Sequence, residues 1–273
     1  MTTLLRQFHA QPGQTPAMLE PWRTPDGRTS YQVMVDEVAA LPRDARLLDL
    51  ACGDGYLLSL LAQDGFRHLI GVDQSPEELA RARARLGPGA ELHCQEVSAL
   101  PLPDASIDVA VCHWALMVIE PVEAALAQLA RVLRPGSGLV AIVNRYVVDP
   151  VNEVYRKWLH RTTAEAGLTR VRLGDPRAFT VEGLTELIRG QALDEASVTL
   201  RDFELSTRLS PPALWASLRL MYDVFQLPSS AQATLERRLL RAWEPHVDGE
   251  GLLSCTMGVR LLRCRTPALG AQR

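Results

Sequence analysis

Two hydrophobic rhythms alternate through the first half of the chain. Short runs rich in apolar residues recur at 45–52 (ARLLDLAC), 68–75 (HLIGVDQS), 90–97 (AELHCQEV), 106–114 (SIDVAVCHW) and 138–146 (GLVAIVNRY). Runs of this length, bounded by turn residues, predict strands of a parallel sheet covered on both faces. Between them, segments 30–42, 55–65, 75–87 and 121–136 place apolar residues at helical spacing. The helix over 75–87 carries its own punctuation. Ser75 stands at the N-cap, Pro76 at the first position, Glu78 three residues after the cap, and Gly87 past the end. The helix over 121–136 is expected to run until Pro135 and Gly136.

After Tyr146 the rhythm changes. An extra helix is predicted over 149–167, a helix capped by Thr180 over 179–193 and a strand over 196–207. A long, mainly helical stretch follows over 210–246, and a last strand over 252–266. This order predicts an α/β fold, a doubly wound, mostly parallel seven-stranded sheet with a helical insertion before the last strand. Residues 1–29, rich in Pro, Gly and polar residues, read as an irregular N-terminal arm. Residues 30–273 read as one domain, with lid elements at 149–175 and 210–246.

Composition narrows the function. Of the 273 residues, 47% are hydrophobic and 22% charged, as in ordinary globular proteins. A net charge of −3 and a pI near 6.1 lack the basic excess of a nucleic-acid binder, so the expectation turns to a small molecule and away from DNA. Five cysteines with no C-x-x-C fit reduced thiols of a cytoplasmic protein. No apolar run reaches the roughly 20 residues of a membrane span. The first residues lack the basic-then-apolar pattern of a secretory signal. No His, Asp, Glu or Cys spacing suggests a metal.

The chemistry is concentrated where the first strand runs into Ala51-Cys52-Gly53-Asp54-Gly55. Ligands of such sheets sit at the carboxyl ends of the strands, where the strand order reverses. A dinucleotide fingerprint would need a small residue at Leu58, and a phosphate-binding loop a Gly-Lys-Ser/Thr; neither is present. Asp49 ends the strand, Asp54 lies in the turn, and no Lys or Arg is near in sequence, so the setting suits a cationic ligand. Asp73, ending the second strand, can accept from both hydroxyls of a ribose.

These motifs resemble the class I S-adenosylmethionine-dependent methyltransferases of small-molecule type, close to the ubiquinone/menaquinone-methylase-like group. "LLDLACGDGYL" is similar to their first motif with Ala51 in place of the first glycine, and "GVDQS" to the second. "CQEVSALPLPDASIDVAVCHWAL" resembles the third block and "LARVLRPGSGLVAIV" the late helix–turn–strand block. The resemblance implies S-adenosylmethionine as cofactor, held by Asp49, Ala51, Gly53, Asp54 and Gly55. It further implies Asp73 at the ribose, Gln74, Glu96 and the Val97 N–H at the adenine, and His113 and Trp114 at the wall. Glu96 stands where the family more often has Asp.

Methyl transfer needs positioning above all, and a base only where the acceptor must lose a proton. His113, beyond the fourth strand, is the candidate base or orienting group. The strand lacks the N/D-P-P-Y/F motif of amino-directed nucleic-acid methyltransferases. Acceptor recognition is expected from Tyr31, Trp158, Trp215 and Tyr222, although Trp215 and Tyr222 could equally form a small core of their insertion. The same insertion is a candidate homodimer contact. The expected activity is methyl transfer to O, N or C of a small metabolite, with secondary metabolism as a setting. Methylation of RNA or protein, a cofactor-binding protein without transfer, and use of the sulfonium charge alone remain as other readings.

Overall fold

In the computed structural model, residues 3–11, 13–169 and 173–268 are described. The elements run α1 (Thr3–His9), α2 (Gln14–Leu19), α3 (Ser30–Val38), β1 (Arg46–Leu50), α4 (Tyr56–Gln63), β2 (His68–Asp73), α5 (Pro76–Leu86) and β3 (Ala90–Cys94). They continue with β4 (Ile107–His113), α6 (Val122–Val132), β5 (Leu133–Arg145), α7 (Pro150–Glu165), α8 (Val181–Arg189) and β6 (Asp194–Leu209). The helices α9 (Pro211–Leu218), α10 (Tyr222–Phe225) and α11 (Ser229–Trp243) then precede β7 (Leu253–Arg265).

The seven strands form one sheet in the order β3-β2-β1-β4-β5-β7-β6. Strands β1 to β5 pair in parallel, with Asp49 opposite Gly71 and Val111, Asp73 opposite Cys94, and His113 opposite Ile142. The chain leaves β1 for β2 on one side and returns for β4 on the other. The switch point therefore lies between the carboxyl ends of β1 and β4.

The local signals act as their chemistry requires. The Ser75 hydroxyl accepts from the Glu78 N–H at the start of α5, and Thr180 from the Gly183 N–H before α8. Two expectations are corrected. α6 ends at Val132, and Leu133 already has an extended backbone (ψ 137°). Pro135 disfavours helix at the residue before it, so β5 begins earlier than the Pro-Gly pair suggested. The N-terminal arm is not irregular either, since it forms α1 and α2.

The contacts divide the chain into two compact units. One comprises Met1–Ser30, Tyr146–Arg172 and Glu204–Gly258, the other Tyr31–Arg145, Leu173–Phe203 and Val259–Arg273. The first is built around aromatic anchors with satisfied polar ends. Trp22 and Trp243 are almost wholly buried. The Trp22 indole N–H donates to the Ser217 hydroxyl at 3.4 Å, and that of Trp243 to the Val151 carbonyl at 3.1 Å. The second unit has the aliphatic core of the sheet, with Leu48, Leu50, Val72, Ala110, Cys112, Leu126, Leu129 and Ile188 among its members. There α3 is fastened to the sheet by Glu37, whose carboxylate pairs with Arg201 at 2.5 Å and with Arg263.

Candidate functional site

The turn between β1 and α4 has three left-handed residues, Ala51 (φ 58°), Gly53 (φ 53°) and Gly55 (φ 74°). Gly55 needs its missing side chain, because a Cβ there would lie 3.0 Å from both Ala82 Cβ and Leu86 Cδ1 of α5. At Gly53 a Cβ would meet nothing within 4 Å, so that stretch of backbone is clear on one side. Ala51 adopts its conformation with a Cβ in place, at a cost of about 1–2 kcal/mol. Gly71 on β2 is where three side chains close in. A Cβ there would lie 2.7 Å from Leu92 Cδ2, 2.8 Å from Cys52 Sγ and 2.9 Å from Leu58 Cδ1.

Three carboxylates converge on this turn. Asp73 ties the strand ends together, its Oδ2 accepting from the Gly53 N–H and its Oδ1 from the Ser75 N–H, both at 2.8 Å. Each oxygen thus already has one backbone donor, a role the sequence did not reveal. A carboxylate offers about four acceptor sites, more than these two donors fill. Asp49 is 2% exposed, and among the described residues its carboxylate has no hydrogen-bond or ion-pair partner. Burial, then the charges of Asp73 and Asp54, hold it well above the usual carboxylate range. Asp54 is also raised, chiefly by burial, against the pull of Arg85.

Arg85 corrects the expectation that no cation is near the turn. From the last turn of α5 its guanidinium pairs with Asp54 at 2.8 Å and lies 5.2 Å from the centre of the Tyr56 ring. Thirty-one residues separate the pair in sequence, so only the packing of α4 against α5 brings them together.

At the end of β4, His113 is half-buried, with its ring 3.9 Å from that of Tyr31 and tilted by 32°. Tyr31, 6% exposed, also meets Tyr56 edge-on at 4.7 Å. Burial pushes the His113 imidazole down to about 3, so it stays neutral through the physiological range. This corrects the expectation that its proton affinity suits a base near neutrality. Trp114 is buried and left-handed (φ 57°), its N–H donating to the Ile142 carbonyl at 3.1 Å. Gln74 and Glu96 are exposed near the ends of β2 and β3, and Val97 packs partly buried against the core.

The remaining predicted residues, Trp158, Trp215 and Tyr222, belong to the other unit. Trp158 is partly exposed, with the Arg161 and Arg238 guanidinium groups 5.5 and 5.1 Å from its ring centre. Trp215 is 4% exposed and packed inside that unit. The Tyr222 ring lies 4.1 Å from that of Phe8, tilted by 42°, and its hydroxyl lies 3.4 Å from His9 Nε2. Among the described residues no group of three or more His, Cys, Asp or Glu could hold a metal. No helix among them is long and apolar enough to cross a membrane.

Comparison with known proteins bears on the fold and on the segment that carries this turn. Residues 48–141 match the methyltransferase domain family. A probable S-adenosylmethionine-dependent methyltransferase of Mycolicibacterium smegmatis is 31% identical over 167 residues, covering 60% of this chain and 63% of that protein. A crystallised Bacillus halodurans protein described as a methyltransferase superposes with a TM-score of 0.59 at 15% identity, covering 88% of this chain and 99% of the other. The geranyl diphosphate C-methyltransferase of Streptomyces coelicolor gives a TM-score of 0.52 at 13% identity, over 86% and 75% of the two chains. The chain spans 40% and 63% of the length of two of the curated relatives it matches. Over residues 48–141 the chain is similar to the methyltransferase domain family, and the likeness to solved structures shows the Rossmann-like methyltransferase fold.

Proposed function

We propose that this chain transfers a methyl group from S-adenosylmethionine to O, N or C of a small organic acceptor, by in-line displacement. The observation that carries the reading is Asp49. A buried carboxylate without a cation, in the field of two more, fits a ligand that brings positive charge, as the ammonium and sulfonium of this cofactor do. The open side of Gly53 leaves backbone free to approach it. The bound cofactor supplies a methyl already activated on sulfur, with a neutral thioether as leaving group.

In this reading Asp49 and the turn Ala51, Gly53, Asp54 and Gly55 receive the amino-acid end. Asp73 accepts from the ribose hydroxyls. Gln74, Glu96 and the Val97 N–H flank the adenine, and His113 with Trp114 bounds the methyl end. The Tyr31 ring against His113 supports a neutral imidazole that orients the acceptor through hydrogen bonding. Tyr31 thereby stands beside the acceptor. A small-molecule acceptor is supported by the acidic overall charge.

Calorimetric titration with S-adenosylmethionine and S-adenosylhomocysteine, with NAD as control, tests the reading. Micromolar binding of both adenosyl ligands and none of NAD is expected. No binding of either adenosyl ligand would overturn it.

A further inference from the structure

The loop that follows β4 carries a conformation that its own sequence does not favour. Trp114 is a bulky residue held at φ 57°, and such a residue persists there only where its surroundings over-determine it. Part of the constraint is local. The Trp114 N–H is bonded to Ile142, and the Val118 N–H closes a tight turn on the Ala115 carbonyl at 2.8 Å. Met117 is then gripped from two sides. Its sulfur accepts from the Asn144 N–H of β5 at 3.2 Å. Its main chain is met by Gly174, from a segment more than fifty residues later.

Gly174 is required there twice over. Its φ of 67° lies in the left-handed region. A Cβ would also stand 2.0 Å from the Met117 carbonyl oxygen, 2.6 Å from its carbon and 2.8 Å from Val118 Cα. All three are backbone atoms of a short loop, which cannot swing aside as the end of a flexible side chain could. Three residues further on, Arg177 fixes the segment. Its guanidinium bonds Asp175 at 2.5 Å, Glu123 at the start of α6, and Glu186 on α8 at 3.3 Å. Its own N–H donates to Asp175 Oδ1 at 2.8 Å. Ala178, with no exposed surface, anchors the same stretch in the core.

We propose that Gly174 and Arg177 are positioning residues: they fasten the segment Leu173–Phe179 onto Met117–Val118 and so hold Trp114 at the edge of the cofactor site. The inference rests on the reading of His113 and Trp114 as the methyl-side wall. The fastening comes from a part of the chain that has no motif of its own and lies well outside the matched residues 48–141. It makes the geometry of the cofactor site depend on a segment that follows α7.

Amide hydrogen exchange and calorimetry on the full chain test it. Arg177→Gln removes the guanidinium fork without adding bulk. Amides of residues 114–118 should then exchange roughly tenfold faster, while those in the middle of β1 and β4 keep their wild-type rates, as expected for local rather than global opening. The dissociation constant for S-adenosylhomocysteine should rise about five- to tenfold, in line with a site whose competent state is less populated. Arg177→Lys should recover part of both effects. Arg189→Gln, which breaks an exposed pair between the end of α8 and Glu195 of β6, should leave both unchanged. Gly174→Ala should act in the same direction and more strongly, and Arg177→Gln keeps the test open should that variant not fold.

Exchange at 114–118 that is unchanged, or that rises only together with β1 and β4, overturns the proposal. So does a loosened loop with wild-type ligand affinity. If the wild-type protein itself binds no S-adenosylhomocysteine, the functional reading has failed, and the exchange comparison alone decides whether the fastening exists.

Discussion

Replacing Asp73 by Asn removes one charge and one acceptor from the point where β1 and β2 are joined. Each oxygen of Asp73 now serves one backbone N–H, that of Gly53 or of Ser75, at 2.8 Å. An amide has a single carbonyl oxygen, so in either orientation its NH2 faces one of those donors. Losing a hydrogen bond to a charged acceptor costs about 1.5–3 kcal/mol, and the N–H left without a partner adds to this. Relief of the repulsion between Asp73 and the buried Asp49 works the other way. A net loss of about 2 kcal/mol corresponds to a fall in Tm of roughly 4–8 °C for a domain of this size. Ligand affinity should fall further, by about ten- to a hundredfold, or roughly 1.4–2.8 kcal/mol, because the diol acceptor is weakened together with the turn. Thermal unfolding without ligand and titration with S-adenosylhomocysteine measure the two effects separately. A Tm within about 1 °C of wild type would refute the claim that this carboxylate ties the turn.

Further expectations follow from neighbouring residues. Gly71→Ala should overpack Leu92, Cys52 and Leu58 and cost about 1–3 kcal/mol, read as a lower urea midpoint; an unchanged midpoint would mean that the crowding is not there. Asp49→Asn should gain stability relative to wild type as the pH rises. The folded Asp49 holds its proton above the ordinary 3.8 of an Asp, so the wild type is fully favoured only below that value and loses stability as the pH climbs toward the folded value. Urea unfolding at a series of pH values would show a difference that does not change with pH if Asp49 titrated normally. His113 should remain neutral by NMR between pH 5 and 8, and a titration near 6.5 would contradict its burial. For the same reason the stability that neutral His113 contributes is complete above 6.5 and is lost as the pH falls toward 3.

What could be read from the sequence was whatever neighbours along the chain decide. The apolar runs located the strands, and Ser75, Pro76 and Thr180 located helix starts, because capping involves residues two or three positions apart. The glycine turn was legible for the same reason. Arg85 was not, because its partner Asp54 is reached only through the packing of α4 on α5. The backbone duty of Asp73 depends on β1 and β2 lying side by side, and the neutral state of His113 on enclosure by residues such as Tyr31, which comes from a distant helix. The grip of Gly174 on Met117 had no sequence signal beyond an isolated glycine. The early end of α6 was, in principle, legible: Pro135 acts on the residue before it, and that restriction reaches further back than the Pro-Gly pair itself.

The cysteines have a practical consequence. Cys52, Cys112, Cys255 and Cys264 are buried, and burial raises the pKa of all four, to about 12 for Cys112 and Cys264. Thiolate is the form that reacts with alkylating reagents, so these four are inert in the folded chain. Cys94 is exposed, at the end of β3 opposite Asp73, with its sulfur 3.9 Å from the Gln74 carbonyl. A maleimide dye added to the native protein therefore attaches at one position, without any engineered change, and that position borders the residues assigned to the adenosine end of the ligand.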